Sequence, residues 1–189
     1  MQGSAGMKSS QRYHAIERYG SYAIRPARTS DHDRLEQLLL ALQNHLEASN
    51  PDLWRMRLDA RRNVKGQIAG RLAAENSCAL VAEHDEDGVV GVIFGRIIVN
   101  NRYIPSRVGQ VDQVFVCPEH RRSGVGSQLV AMLCRYFAAE DVDDLSLRYV
   151  QGNQEAAQFW TALGFSPRIV TAGTGRRIIE ERLGQSSEG

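Results

Sequence analysis

The stretch VDQVFVCPEHRRSGVGSQLVAML, Val111 to Leu133, changes its period partway along. Up to Cys117 it reads as a strand. From Val125 onward, Val125, Leu129, Met132, Leu133 and Tyr136 mark one face of a helix expected to end near Glu140. Between the two lie Arg121, Arg122, Gly124 and Gly126. A helix start offers unsatisfied backbone N–H groups and a positive dipole end, which together bind phosphate. The two glycines let the backbone come close, the arginines add charge, and Ser127 offers a hydroxyl. Such a cradle suits a pyrophosphate.

Working outward, "DLSLRYV" reads as the next strand, so Val111 to Val150 is a strand–helix–strand crossover whose strands lie parallel within a mixed sheet. Asn153 then caps a helix with Ala156, Phe159, Trp160 and Leu163 on one face, and Gly164 stops it. "FSPRIVTA" and "RRIIEERL" are the last two strand candidates, joined across "GTG". Upstream, a first strand begins at Tyr22. Ser30 and Asp33 form a capping box for a helix through Leu35, Leu38, Leu39, Leu42 and Leu46, ending near Asn50-Pro51. A second helix is expected between Leu58 and Asn76. "CALVAEH" and "VVGVIFGRIIV" flank the turn "DEDG" as an antiparallel hairpin.

Residues 1–20 read as a tag or disordered leader, 21–184 as a single domain and 185–189 as a disordered tail. The 189 residues suffice for one sizeable core. A formal net charge of +1 gives no global argument for nucleic acid or an anionic membrane, so any anion site is local. No apolar run is long enough to span a bilayer, and a cytoplasmic protein is expected. Cys78, Cys117 and Cys134 are widely spaced and suggest buried thiols rather than zinc ligands. Oligomeric state is open, a homodimer included.

Two other phosphate motifs compete. A P-loop needs a lysine after its glycines, and none follows here. "GVGSQL" begins like a dinucleotide fingerprint, with Asp143 or Asp144 downstream, but Leu129 fills the third glycine position and no second mononucleotide-binding half exists.

Arg121-x-x-Gly124-x-Gly126, with "VFVCPEH" before it and an apolar helix after it, resembles the acyl-CoA signature of the GNAT family of N-acyltransferases. "NQEAAQFWTALGF" resembles that family's second signature, and "IRPARTSDHDRLEQL" its opening strand and helix. The likeness runs from Tyr22 to Leu183. It implies an α/β (α+β) fold: a mixed, mostly antiparallel central sheet with helices on both faces, whose parallel fourth and fifth strands splay to admit pantetheine.

The resemblance also implies acetyl-CoA as co-substrate, an amine acceptor of a small molecule or protein, and no metal. The backbone of Val114, Phe115 and Val116 would meet the pantetheine amides. Arg121, Arg122, Ser123, Gly124, Val125, Gly126 and Ser127 would hold the pyrophosphate, with Asn153 bordering the cofactor and Trp160 near the thiol. The Val116 N–H would stabilise the oxyanion formed by direct amine attack.

Asp112 is the candidate base, and period-two alternation puts it on the side of Val114 and Val116, with Gln113 opposite. A structural hydrogen bond is its plainer role. The family commonly has tyrosine where this chain has Trp160, whose indole is no proton donor to a thiolate; Tyr149 is the alternative acid, unless the thiolate leaves unprotonated. Cys117 has no partner base. His45, His84 and His120 are scattered, which favours surface or cap roles. The arginines of "RRNVKGQIAGR" and the Arg176-Arg177 pair read as solvated charges. His45, Asp52, Trp54 and the segment Thr171 to Gly175 are the expected acceptor walls. A non-catalytic acyl-CoA sensor is the competing function, and a nicotinamide-binding enzyme the third.

Overall fold

A computed structural model describes residues 15–185. They fall into two compact units, one ending at Val150 and the other beginning at Gln151.

The first unit is built on a six-stranded sheet in the order β1 (Glu17–Tyr19), β2 (Tyr22–Pro26), β3 (Ser77–His84), β4 (Gly88–Val99), β5 (Arg107–Val116) and β6 (Leu145–Leu147). Every neighbouring pair is antiparallel except β5 and β6. The hairpin around Asp85-Glu86-Asp87 is as expected. β1 is not: it lies within the stretch assigned to a leader, where Glu17 pairs with Ile24 and Tyr19 with Tyr22.

Helices cover both faces. On one, Leu35, Leu38 and Leu39 of α1 (His32–Ser49) and Val64 and Ile68 of α4 (Val64–Ala73) pack on Val81, Val92, Phe94 and Phe115. Two short helices, α2 (Pro51–Trp54) and α3 (Leu58–Arg62), link them, so the expected helix from Leu58 to Asn76 breaks at Asn63. The other face carries α5 (Val125–Ala139). A Cβ on Gly95 would come within 2.8 Å of Leu133, and one on Gly109 within 2.8 Å of Phe137, so the sheet is left bare where the helix lies closest.

The entry to α1 differs from the expected Ser30–Asp33 box. Asp31 accepts the Arg28 N–H at 2.7 Å and takes both Arg25 Nη atoms at 2.8 and 3.0 Å, while Asp33 pairs with Lys65 at 2.7 Å. Arg25 also donates through Nε to Glu83 at 2.7 Å. Asp31 and Arg25 are buried. Full pairing is what makes two buried charges tolerable.

The second unit holds α6 (Gln154–Ala162) and α7 (Arg176–Gln185). Asn153 Oδ1 accepts the Ala156 N–H at 3.0 Å, the expected cap. Gly164, at φ +88°, ends α6: its N–H reaches Thr161 O at 2.9 Å and that of Phe165 reaches Trp160 O at 3.0 Å, a Schellman pair. Neither of the two final strands appears: 165–175 has no regular structure, and "RRIIEERL" forms α7. Arg176 and Glu180, one turn apart, pair on that helix. The adjacent Ile178 and Ile179 fit a strand pattern and a helix pattern equally in so short a run.

Candidate functional site

β5 and β6 are the expected parallel pair, and they part company. Their register covers only Gly109↔Leu145, Gln110↔Ser146 and Val111↔Leu147, whereas β5 continues beside β4 to Val116. On the β4 side the Cys117 N–H donates to Val90 O at 2.9 Å, which makes Cys117 and Val90 a hydrogen-bonded pair. Antiparallel pairing alternates, so Val116, opposite Gly91, and Val114, opposite Ile93, turn their N–H and C=O groups away from β4 toward the edge where β6 has stopped. Phe115, between them, spends its backbone on β4 and its ring in the core.

Directly after β5 the chain makes one 3-10 turn, Pro118–His120, then reaches α5 through Arg122 at φ +60° and Gly124 at φ +84°. The first helical hydrogen bond is from Gln128 N–H to Gly124 O at 3.1 Å, which leaves the N–H groups of Val125, Gly126 and Ser127 at the helix mouth. The Ser123 hydroxyl donates to His120 O at 2.7 Å, and Arg121 Nε to Val116 O at 3.2 Å, so the turn is braced against the strand end. A Cβ on Gly124 would lie 2.6 Å from the Tyr19 hydroxyl. Tyr19 reaches the turn through the β1–β2 pairing, which no local sequence signal marks.

Asp112 is where the alternation argument fails. The β4–β5 register passes from Phe94↔Gln113 to Gly95↔Val111, leaving Asp112 unpaired as a β-bulge. A bulge places an extra residue on one strand and re-aims the side chains after it. Asp112 and Gln113 therefore share the face of Phe94 and Arg96, and Val114 and Val116 take the other. The Asp112 carboxylate, 10% exposed, accepts Gln110 Nε2 at 2.9 Å and pairs with Arg96 Nη2 at 3.3 Å. Gln113 accepts from Arg71, whose guanidinium stands 5.2 Å over the Phe94 ring. Burial, against the pull of Asp112 and with the repulsion of Arg96, holds the Arg71 guanidinium below its ordinary value. Arg71 is thus part of a polar cluster on the sheet and not the solvated charge its neighbours suggested. Arg96 was the available signal: a lone cation inside the apolar strand "GVVGVIFGRIIV".

A family model for the acetyltransferase (GNAT) family matches residues 39–165. The chain belongs to the GNAT family. Among solved structures, this GNAT chain is similar to the aminoglycoside N-acetyltransferase AAC(6')-Iy in complex with CoA, at 19% identity and TM-score 0.65, covering 86% of this chain and 99% of that one. It is also similar to a ribosomal-protein-alanine N-acetyltransferase from Brucella melitensis biovar Abortus 2308 (16%, TM-score 0.60, 82% and 99%). A transcriptional regulator from Bacillus halodurans C-125 has the same fold (18%, TM-score 0.64, 82% and 99%). A search of curated protein sequences found no match.

Tyr149 lies beyond β6, which ends at Leu147, and so is not on a strand. Trp160 is buried in the second unit, edge-on to Phe159 at 4.8 Å and Phe165 at 5.4 Å between ring centres. His45 and Asp52 are exposed. Trp54 is held by Gln43, whose Nε2 donates to its carbonyl at 2.6 Å, and its indole Nε1 is buried with no partner among the described residues. Thr171 to Gly175 is exposed and irregular. Burial raises the Cys117 thiol, with Arg34 Nη2 at 3.6 Å, and pushes Cys78 up to about 12, as expected of inert thiols. No described helix is long and apolar enough to cross a membrane.

Proposed function

We propose that this chain is an acetyl-CoA-dependent N-acetyltransferase acting on a primary amine of a small molecule or protein by direct attack in a ternary complex. The observation that carries the reading is the open β5 edge: the N–H and C=O of Val114 and the N–H of Val116 face it, the Val116 carbonyl being braced by Arg121, and the α5 N-terminus follows within ten residues. An extended diamide arm such as pantetheine adds to that edge as a strand would, and leads its pyrophosphate to Arg122 to Ser127. The acyltransferase family and the CoA complex of a structural neighbour support the same donor.

In the reaction the amine nitrogen attacks the acetyl carbon, the C–N bond forms, and the C–S bond breaks as CoA leaves. Developing charge on the carbonyl oxygen is met by the Val116 N–H. Asp112 receives the amine proton, through water, or orients the amine from its place beside Arg96. The departing thiolate takes its proton from water or from Tyr149. The buried Trp54 indole N–H, with no partner among the described residues, suits it to an acceptor wall along with His45 and Asp52. The proposed catalytic domain is 21–184, in a cytoplasmic protein.

A second reading, an acyl-CoA sensor without turnover, is favoured by one observation: Trp160 stands where the family commonly has tyrosine. Thiol release from acetyl-CoA over a panel of amines separates the two. Turnover with any amine establishes the enzyme, whereas acetyl-CoA binding without release across the panel establishes the sensor. Failure to bind acetyl-CoA at all overturns both.

A further inference from the structure

His84 ends β3, Asp87 sits in the β3–β4 turn, and His120 closes the 3-10 turn after β5. The sequence keeps these residues apart and suggests separate surface roles. The fold joins them: the Cys117 N–H to Val90 O bond fastens the end of β5 beside the start of β4, which brings His120 up to the hairpin tip. One nitrogen of each imidazole and a carboxylate oxygen of Asp87 all lie within 4.8 Å of one another. His84 Nδ1 is 2.9 Å and His120 Nε2 3.4 Å from Asp87 Oδ2.

We infer that His84, Asp87 and His120 form a binding site for a divalent transition metal, with zinc the best-suited ion. Two imidazoles and a carboxylate are a borderline-soft set that suits zinc over calcium or magnesium. Bonds of about 2.1 Å in tetrahedral geometry put ligand atoms roughly 3.4 Å apart, so the His120–Asp87 edge has the required length, and the His84–Asp87 edge opens by a few tenths of an ångström.

The ring nitrogens are also oriented for the task. The Tyr22 hydroxyl lies 3.1 Å from His120 Nδ1, which leaves Nε2 to face Asp87; ligating histidines usually have such a partner on the far nitrogen. Tyr22 is opposite His84 in the β2–β3 register and packs against its ring at 5.0 Å between centres. The two imidazole side chains are 17% and 12% exposed, while Asp87 is 56% exposed. The site is thus walled by its histidines and open at its carboxylate, where water completes the shell.

His84 Nδ1 is 2.9 Å from Asp87 Oδ2. An unprotonated Nδ1 turns its lone pair on the carboxylate oxygen, a repulsion that a metal between the two removes by taking both lone pairs; the Asp87 N–H, 3.4 Å away at this exposed turn, is then left to water. The role is structural: the ion ties the hairpin tip to the turn whose His120 carbonyl holds Ser123. It stands independently of the acyl-transfer reading.

The test is zinc titration of the chelator-stripped full chain, by calorimetry and by competition with a chromophoric chelator. One zinc per chain with micromolar or tighter affinity is expected. Asp87→Asn, a change at an exposed turn residue that leaves folding intact, is expected to weaken binding at least tenfold, as is His120→Gln; Tyr22→Phe is expected to weaken it about tenfold through the outer partner. Cobalt in place of zinc is expected to give visible tetrahedral bands without thiolate charge transfer. Binding weaker than about 100 μM, by comparison with structural zinc sites, overturns the inference. So does affinity unchanged in Asp87→Asn, or a thiolate spectrum that puts the ion on a cysteine.

Discussion

The Tyr19 hydroxyl stands so close over Gly124 that a Cβ at that glycine would lie 2.6 Å from it. The relationship ties the short first strand to the turn that opens α5, and it adds a steric limit to a conformational one, since Gly124 is at φ +84°. Any L residue there meets both.

Gly124→Ala is therefore expected to destabilise the fold by about 1–2 kcal/mol from the left-handed backbone alone. Tyr19→Phe in the same chain should recover part of the loss by removing the nearest atom. Urea melts of the two single mutants and the double mutant measure this. Additive effects would mean that the hydroxyl does not press on residue 124.

Gly126→Asp separates folding from anion binding. An aspartate in the first turn of α5 interacts favourably with the helix dipole, worth about 0.3–1 kcal/mol, so thermal stability should hold or rise slightly. The same charge repels a pyrophosphate at the helix mouth, and acetyl-CoA affinity should fall more than tenfold. Undiminished affinity in this folded variant would remove the turn from the cofactor site.

Asp31 predicts how stability depends on pH. Burial works to raise its carboxyl, but the two Arg25 hydrogen bonds and the Arg28 N–H outweigh it and hold the group below the usual carboxylate range. The folded chain then binds fewer protons than the unfolded one in moderate acid. Its contribution is fully present above the ordinary carboxylate range and is lost as pH falls through the depressed folded value. Asp31→Asn, which leaves Arg25 the Glu83 carboxylate and the Pro26 carbonyl, is expected to cost about 3 kcal/mol at neutral pH and to flatten the acid limb. Denaturant melts across the acid range on both chains decide it; parallel curves would show that Asp31 does not carry the effect.

The turn between β5 and α5 was legible because its signal is local: a strand period, two glycines, two arginines and a helix period occupy one stretch. The hairpin and the Asn153 and Gly164 caps were legible for the same reason. What escaped depends on pairing between distant segments. Nothing in "VDQVFV" marks Asp112 as a bulge, since the extra residue is defined only by its register against β4. His84 and His120 become neighbours only once β5 is fastened beside β4. The segment 165–185 misled in another way: Ile169, Val170, Ile178 and Ile179 supply strand-like composition, but a strand needs a partner edge, and Arg176 with Glu180 supports a helix instead.

The bulge takes away the alternation argument that put Asp112 beside Val114 and Val116, so its role as base rests on the mutant. A carboxylate that takes the amine proton assists most where more of that amine arrives protonated. Asp112→Asn is expected to lower the acetylation rate most at the acid end of the pH–rate profile and least at the alkaline end. Because Asn keeps the shape and the Gln110 contact, fold loss is not the anticipated cause. A mutant profile that parallels the wild type throughout would reduce Asp112 to a structural partner of Arg96.

Trp160→Tyr tests whether residue 160 serves the departing thiolate. Its indole is buried edge-on between Phe159 and Phe165 and has no proton to give a departing thiolate, whereas a phenol at the same place does. Trp160→Tyr removes bulk from a packed aromatic cluster, so a stability loss of about 1 kcal/mol is expected while acetyl-CoA affinity holds. Turnover at saturating acetyl-CoA should rise, because thiolate protonation no longer waits on water. The control is Tyr149→Phe. If Trp160→Tyr leaves turnover unchanged and Tyr149→Phe lowers it, Tyr149 already serves as the acid. If both substitutions leave a measurable rate untouched, the thiolate departs unprotonated or takes its proton from water, and neither residue 149 nor residue 160 is the acid.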